Sequence, residues 1–214
     1  MGELDDYAGL VEGAGVPESW RPGRVLMRER ETSDGVFFIG VGMVKVLAGA
    51  ANGRTGVLAW RGLGELIGEQ ACVDGRPRSA TAVVTRAGTG TFLAAPAFKE
   101  LMHDHPGFAE SVLRNMSIRL RESGQDRTDL GTLSVGGRTA AFLARYARRD
   151  PRFDEVTGGV VSLTQQELAE TVGASRESVI RVLQDFQEAG WLKRGRGRIF
   201  VLDAVGLEVR ARKG

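Results

Sequence analysis

Cysteine is nearly absent from this chain: its 214 residues include one, Cys72, and only two histidines, His103 and His105. One thiol closes no internal disulfide, and an iron–sulfur cluster needs about four thiolates. One thiol and two imidazoles are also too few for a protein-built zinc site. His103 and His105 flank Asp104 just ahead of Pro106, where an exposed loop is expected, so they read as surface side chains rather than haem ligands. Cys72 reads as a small buried side chain. Long apolar runs are missing too. The stretch from Val36 to Val44 is nine residues, well short of the roughly 20 that a bilayer-crossing helix needs. The opening MGELDDYAGL is acidic, unlike a signal peptide. A cytoplasmic protein is expected. No Ser/His/Asp set or paired-carboxylate site stands out, so no enzyme is expected.

Glycine, by contrast, is plentiful, at 30 residues, about twice the ~7% average share. It is scattered among short apolar runs, which suggests tight turns and β structure. From Arg24 to about Phe92, runs such as VFFIGVGMVKVLAG and ATAVVT alternate with Gly, Asp and Asn at the spacing of an all-β barrel or sandwich. From Pro96 the pattern turns helical, with a short segment ending at Pro106 and a longer one reaching Leu133. On the longer segment Leu113, Met116, Leu120, Ser123, Arg127 and Leu130 follow at heptad spacing, a candidate seam with a second helix. An ordinary amphipathic helix packed on its own sheet is the alternative. A further helical run, RTAAFLARYARR, stops at Asp150-Pro151. Charge is uneven: residues 1–134 hold 15 basic and 17 acidic groups, and residues 135–214 hold 14 and 10. The basic end is the candidate for polyanion contact.

Two stretches carry chemistry. In GEQACVDGRPRSAT, Gly68 to Thr81, Gly68 lets backbone approach a ligand. Residues Glu69 to Val73 can make a short helical turn, and Arg78 and Ser79 supply a fork of donors and a hydroxyl. This outlines a phosphate cradle in which Glu69 can accept from a sugar hydroxyl. An Arg78 salt bridge to Glu69 or Asp74 is the competing reading. In Ser162 to Asp203, Thr164 with Glu167 forms a capping box, Leu168, Ala169 and Val172 an apolar face, and Gly173 a turn. Ser175 caps a second helix that points Arg176, Glu177, Arg181 and Gln184 one way and Val179, Val182, Leu183 and Phe186 the other. Such a pair is a helix-turn-helix, and Arg and Glu suit base edges in the major groove. The following WLKRGRGRIFVL reads as a two-stranded wing with Lys193, Arg194, Arg196 and Arg198 clustered at its tip to meet phosphates.

The cradle resembles the phosphate-binding cassette of cyclic-nucleotide-binding domains. Ser175-Arg176-Glu177-Ser178-Val179-Ile180-Arg181 is similar to the recognition helix of the cyclic AMP receptor protein/FNR (Crp/Fnr) family of bacterial transcription regulators. The resemblance runs from Arg24 to about Leu202. It implies an α+β chain: an N-terminal cyclic-nucleotide-binding-type β-roll (jelly roll) over 1–107, a long dimerisation helix over 108–134, and a winged helix-turn-helix over 135–214. It implies that Gly68, Glu69, Arg78 and Ser79 hold a cyclic nucleotide, cyclic AMP or another, with no metal, haem or iron–sulfur cluster. Glu69 takes the ribose hydroxyl, and Arg78 and Ser79 the cyclic phosphate. Aligning through Gly137-Arg138 puts Ser123 and Gly124 where the family holds adenine with two hydroxyls, and only Ser123 supplies one. DNA contacts fall to Thr164, Ser175, Arg176, Glu177, Ser178, Arg181, Arg196 and Arg198. The implied partners are an inverted-repeat operator, a second copy of the chain and RNA polymerase. Two alternatives stay open: the same regulator with a vestigial, ligand-free sensor domain, or a regulatory subunit acting on a partner enzyme.

Overall fold

The computed structural model describes residues 4–49, 55–148 and 153–213. It divides into two compact units, Met1–Arg121 and Glu122–Gly214. The first unit is built on two long antiparallel strands, β3 (Gly35–Gly49) and β6 (Thr81–Ala94). To these are added β1 (Val16–Trp20) and β2 (Val25–Met27) against β6, and β4 (Thr55–Arg61) and β5 (Leu66–Ile67) against β3. Register shifts at Ile39/Val41, Val41/Met43 and Met43/Val44 bend β3, as bulges do, so one strand pair serves a curved sheet.

The apolar run Val36-Phe37-Phe38-Ile39 is unbroken because both faces of β3 are covered. Successive side chains in a strand point oppositely. Phe37 and Ile39 join Trp20, Val44, Ile67 and Val84 in one core. Val36 and Phe38 join Leu93, Phe98, Phe108 and Val112 in the other. The second core is closed by helices α1 (Ala8–Ala14), α2 (Glu69–Asp74), α3 (Ala95–Asp104) and the start of α4 (Pro106–Thr132).

In the second unit, α5 (Val135–Ala147) begins at Ser134, whose Oγ accepts from the Gly137 amide at 3.1 Å. Helices α6 (Gln165–Val172) and α7 (Arg176–Glu188) follow. A sheet in the order β7 (Gly159–Val161), β9 (Arg198–Val201), β8 (Leu192–Gly195) comes with them, then α8 (Ala204–Arg212). Leu143, Leu163, Leu168, Leu183, Leu192 and Leu207 are fully buried there. The expected fold class holds, a β-roll unit followed by a winged helix-turn-helix unit, with α1, β1, β7 and α8 as elements the sequence reading did not anticipate. The expected helix stop at Asp150-Pro151 falls earlier: α5 ends at Ala147 with Arg148 as its C-cap, ahead of residues 149–152, which lie outside the described residues.

Candidate functional site

The cassette opens at Gly68, the residue before α2, whose φ of +91° is left-handed and favours glycine. A Cβ there would collide with the Arg78 guanidinium. Arg78 is turned inward, its side chain 1% exposed. Its Nη1 donates to the Gly68 carbonyl at 2.9 Å, and its Nη2 donates to the Gly35 carbonyl at 2.6 Å and to Asp34 Oδ1 at 2.8 Å. Its ion-pair partner is therefore Asp34, and neither Glu69 nor Asp74. Ser79 is exposed, and its hydroxyl donates to Gln70 Oε1 at 3.0 Å.

Glu69 is 5% exposed, and a buried carboxylate needs a partner. The partner is Arg119 on α4, a residue the sequence reading passed over. Arg119 Nη1 donates to Glu69 Oε1 at 2.7 Å and its Nη2 to the Leu66 carbonyl at 2.7 Å. Arg119 Nε is buried with no acceptor. A signal existed: Arg119 lies seven residues past Val112, on the helix stripe that buries Phe108 and Val112. Cys72 is buried with its Sγ 3.1 Å from Ser33 Oγ, while His103 and His105 are exposed. Ser123 is an exposed residue of α4 within the second unit, followed by Gly124, whose carbonyl accepts from Thr128 Oγ1 at 3.1 Å.

In the second unit, Thr164 and Glu167 complete a reciprocal capping box on α6, which ends at Gly173 with φ +63°. Ser175 caps α7, its Oγ accepting from the Ser178 amide at 3.2 Å and lying 3.0 Å from Ser178 Oγ. Thr164, Ser175 and Ser178 are thus engaged in capping. Val179, Leu183 and Phe186 are buried, and Val182 is half-buried. Arg176, Glu177, Arg181 and Gln184 form an exposed row. Hydrogen bonds from its own backbone amide and from Ser175, with Arg176 and Arg181 nearby, hold the Glu177 carboxyl below its ordinary range. Lys193, Arg196 and Arg198 are exposed on the wing. Arg194 departs from the expected tip cluster: it folds back so that its Nε donates to Gln187 Oε1 of α7 at 3.0 Å. A cleft of about 320 Å³ lies between α6, α7 and the wing, lined by Thr164, Gln166, Arg176, Arg194, Arg196 and Arg198 among others.

Residues 137–210 match the Crp-like helix-turn-helix domain and residues 17–105 the cyclic nucleotide-binding domain. A CRP-like cAMP-activated global transcriptional regulator of Mycobacterium tuberculosis is 32% identical, covering 99% of this chain and 100% of that relative. The chain belongs to the Crp/Fnr family of bacterial transcription regulators. Solved Crp/Fnr structures share its fold. A CRP/FNR-family regulator of Thermus thermophilus is 25% identical with a TM-score of 0.72, covering 92% of this chain and 98% of that one. The c-di-GMP-responsive global regulator of Xanthomonas campestris is 21% identical with a TM-score of 0.73, covering 91% and 98%. As in the Crp/Fnr family, a DNA-binding helix-turn-helix follows a cyclic-nucleotide-binding domain. The relatives are transcription regulators rather than enzymes. No helix among the described residues is long and apolar enough to cross a membrane.

Proposed function

We propose that this Crp/Fnr chain is a homodimeric, cytoplasmic, sequence-specific DNA-binding regulator whose operator affinity is set by a cyclic nucleotide. Residues 1–107 serve as sensor, 108–134 as dimerisation helix and 135–214 as DNA-binding domain, with RNA polymerase as the downstream partner. The observation that carries the DNA reading is the exposed row on α7. Arg176 and Arg181 donate no hydrogen bond to any described residue, and they flank a carboxylate kept ionised. An arginine can grip guanine O6 and N7 with two bonds, and a glutamate can accept from the cytosine amino group. Arg196 and Arg198 on the wing supply phosphate contacts.

The sensor residues fit a cyclic nucleotide. Arg119 Nε is a buried donor without an acceptor, which an anionic ligand can supply. Glu69 keeps a second carboxylate oxygen for a ribose hydroxyl, and Ser79 with Gln70 borders the same turn. Arg78, with both Nη atoms bonded to the protein, contributes field and shape at Gly68. Ser123 is the candidate for adenine. The bracing of Arg78 also favours a second reading, a regulator whose cassette is a packing element and binds nothing.

Calorimetry with cyclic AMP, cyclic GMP and cyclic di-GMP, followed by gel shifts on genomic fragments, separates the two. Measurable heat that also tightens DNA binding is expected. No heat with any of them at millimolar concentration leaves the ligand-free regulator, and no shifted DNA refutes the recognition-helix assignment.

A further inference from the structure

The helix following the wing carries a cation with no internal purpose. Asp203 caps α8, its Oδ1 accepting from the Gly206 amide at 2.7 Å. The helix packs on α5 through buried Ala204, Leu207 and Ala211. Arg210, one turn past Leu207, lays its guanidinium across the first turn of α5. A Cβ at Gly136 would lie 2.9 Å from Arg210 Nη2 and 3.6 Å from Ser134 Oγ. Glycine at 136 leaves that space to the arginine, and Gly136 is buried beneath it.

A guanidinium offers five N–H donors, yet Arg210 gives no side-chain hydrogen bond or ion pair to any described residue. The nearby carboxylate of α8, Glu208, is paired with Arg148 instead. The first turn of a helix bears partial positive charge, so a cation placed over it is opposed by the backbone. The packing of α8 holds Arg210 there, and an anion from outside would complete the arrangement.

The surroundings say which anion. Arg138, on the same first turn of α5, donates from Nε to the Val172 carbonyl at 2.8 Å and from Nη2 to the Gly173 carbonyl at 3.3 Å. These carbonyls belong to the end of α6 and the turn into α7. Gly136 and Arg138 face opposite sides of α5, so the Arg210 guanidinium shares with the Arg138 clamp only the end of α5 that is tied to the turn starting the recognition helix, the end past which a duplex read by α7 would run its phosphates. Arg212 and Lys213, both exposed, extend the positive charge.

We propose that Arg210 is a phosphate anchor for DNA, a third arm of the interface besides the helix-turn-helix and the wing. The proposal rests on the reading that α7 enters the major groove. Its chemistry is sequence-blind: a guanidinium on a backbone phosphate adds affinity and salt sensitivity without base preference.

The test uses the full-length protein, titrated by fluorescence anisotropy with an operator duplex and a random duplex at several salt concentrations. Arg210→Gln should weaken binding to both duplexes alike and flatten the slope of log affinity against log salt by about 0.9 per protomer bound. Arg210→Lys should restore most of that slope and leave the unfolding midpoint where it is, whereas Arg210→Gln should keep or slightly raise the midpoint, because the lost cation had no internal partner and lay over the positive end of α5. An unchanged slope in Arg210→Gln overturns the anchor, as does an affinity loss confined to the operator. A wild-type protein that binds neither duplex overturns the reading of α7 itself, and the anchor with it.

Discussion

Glu69 shows what burial demands of a charge. Its carboxylate is held by Arg119 at 2.7 Å, and the same guanidinium satisfies the Leu66 carbonyl. Replacing Arg119 with Met leaves both acceptors without a donor. Breaking a buried ion pair from one side typically costs 3–5 kcal/mol, and because the Arg119 side chain is 16% exposed, about 3 kcal/mol is expected in urea unfolding. Combining Glu69→Gln with Arg119→Met removes the stranded charge and should recover much of the loss. A single variant as stable as the wild type would contradict the pairing. The sequence made Glu69 legible because its cassette is local, but its partner lies 50 residues away. The same holds for Arg78, whose carboxylate partner, Asp34, is 44 residues distant. Nothing in local pattern names such partners, so the bracing of Gly68 and Gly35 by the Arg78 fork could not be read from the sequence.

At the scale of elements, legibility follows how local the cause is. Helices α6 and α7 could be placed residue by residue because Thr164 with Glu167, Gly173 and Ser175 are start and stop signals within a few positions of what they cap. Strand β1 could not: VPESW contains a proline and little alternation, and it is a strand because Val16 to Trp20 pair with Phe92 to Gly88 far along the chain. Helix α8 was hidden by its Gly206 and is held by burial on α5, and with it went Arg210. Tertiary contact also decides how helix ends are finished. Arg138 donates to the Leu133 carbonyl at 2.8 Å at the end of α4 and to Val172 at the end of α6, filling positions whose carbonyls lack intrahelical donors. Arg138→Met should lower the stability of the second unit by about 2 kcal/mol, since charge-assisted hydrogen bonds contribute roughly 1.5–3 kcal/mol each and water recovers part of the loss at this half-buried site. Hydrogen exchange should show the loss as faster opening around 130–133 and 170–174. Equal exchange in both proteins would mean that the clamp contributes nothing.

The whole molecule turns on α4, 27 residues long and so about 40 Å from end to end. One stripe of it carries apolar side chains that a single chain leaves in water: Leu113 is 56% exposed, Leu120 76% and Leu130 57%. Each leucine buried against a partner helix contributes roughly 1.5–3 kcal/mol, and the heptad spacing suits a second copy of the same helix. In the proposed dimer, a two-fold pairing there would present two recognition helices, and the operator would be an inverted repeat with half-sites about 34 Å apart. Ser123 and Arg127 continue the stripe with polar side chains, so the apolar grip is interrupted midway, where two pairings of similar energy are easiest to accommodate. A nucleotide that binds one pairing better than the other then shifts the population toward it and resets the spacing of the recognition helices. Leu120→Glu places like charges at the seam. The variant should be monomeric by light scattering, should retain the fold of both units, and should protect no two-fold footprint on DNA that the wild type protects. A wild-type protein that is monomeric at micromolar concentration, or an operator footprint without two-fold symmetry, would refute the seam and the route from ligand to DNA built on it.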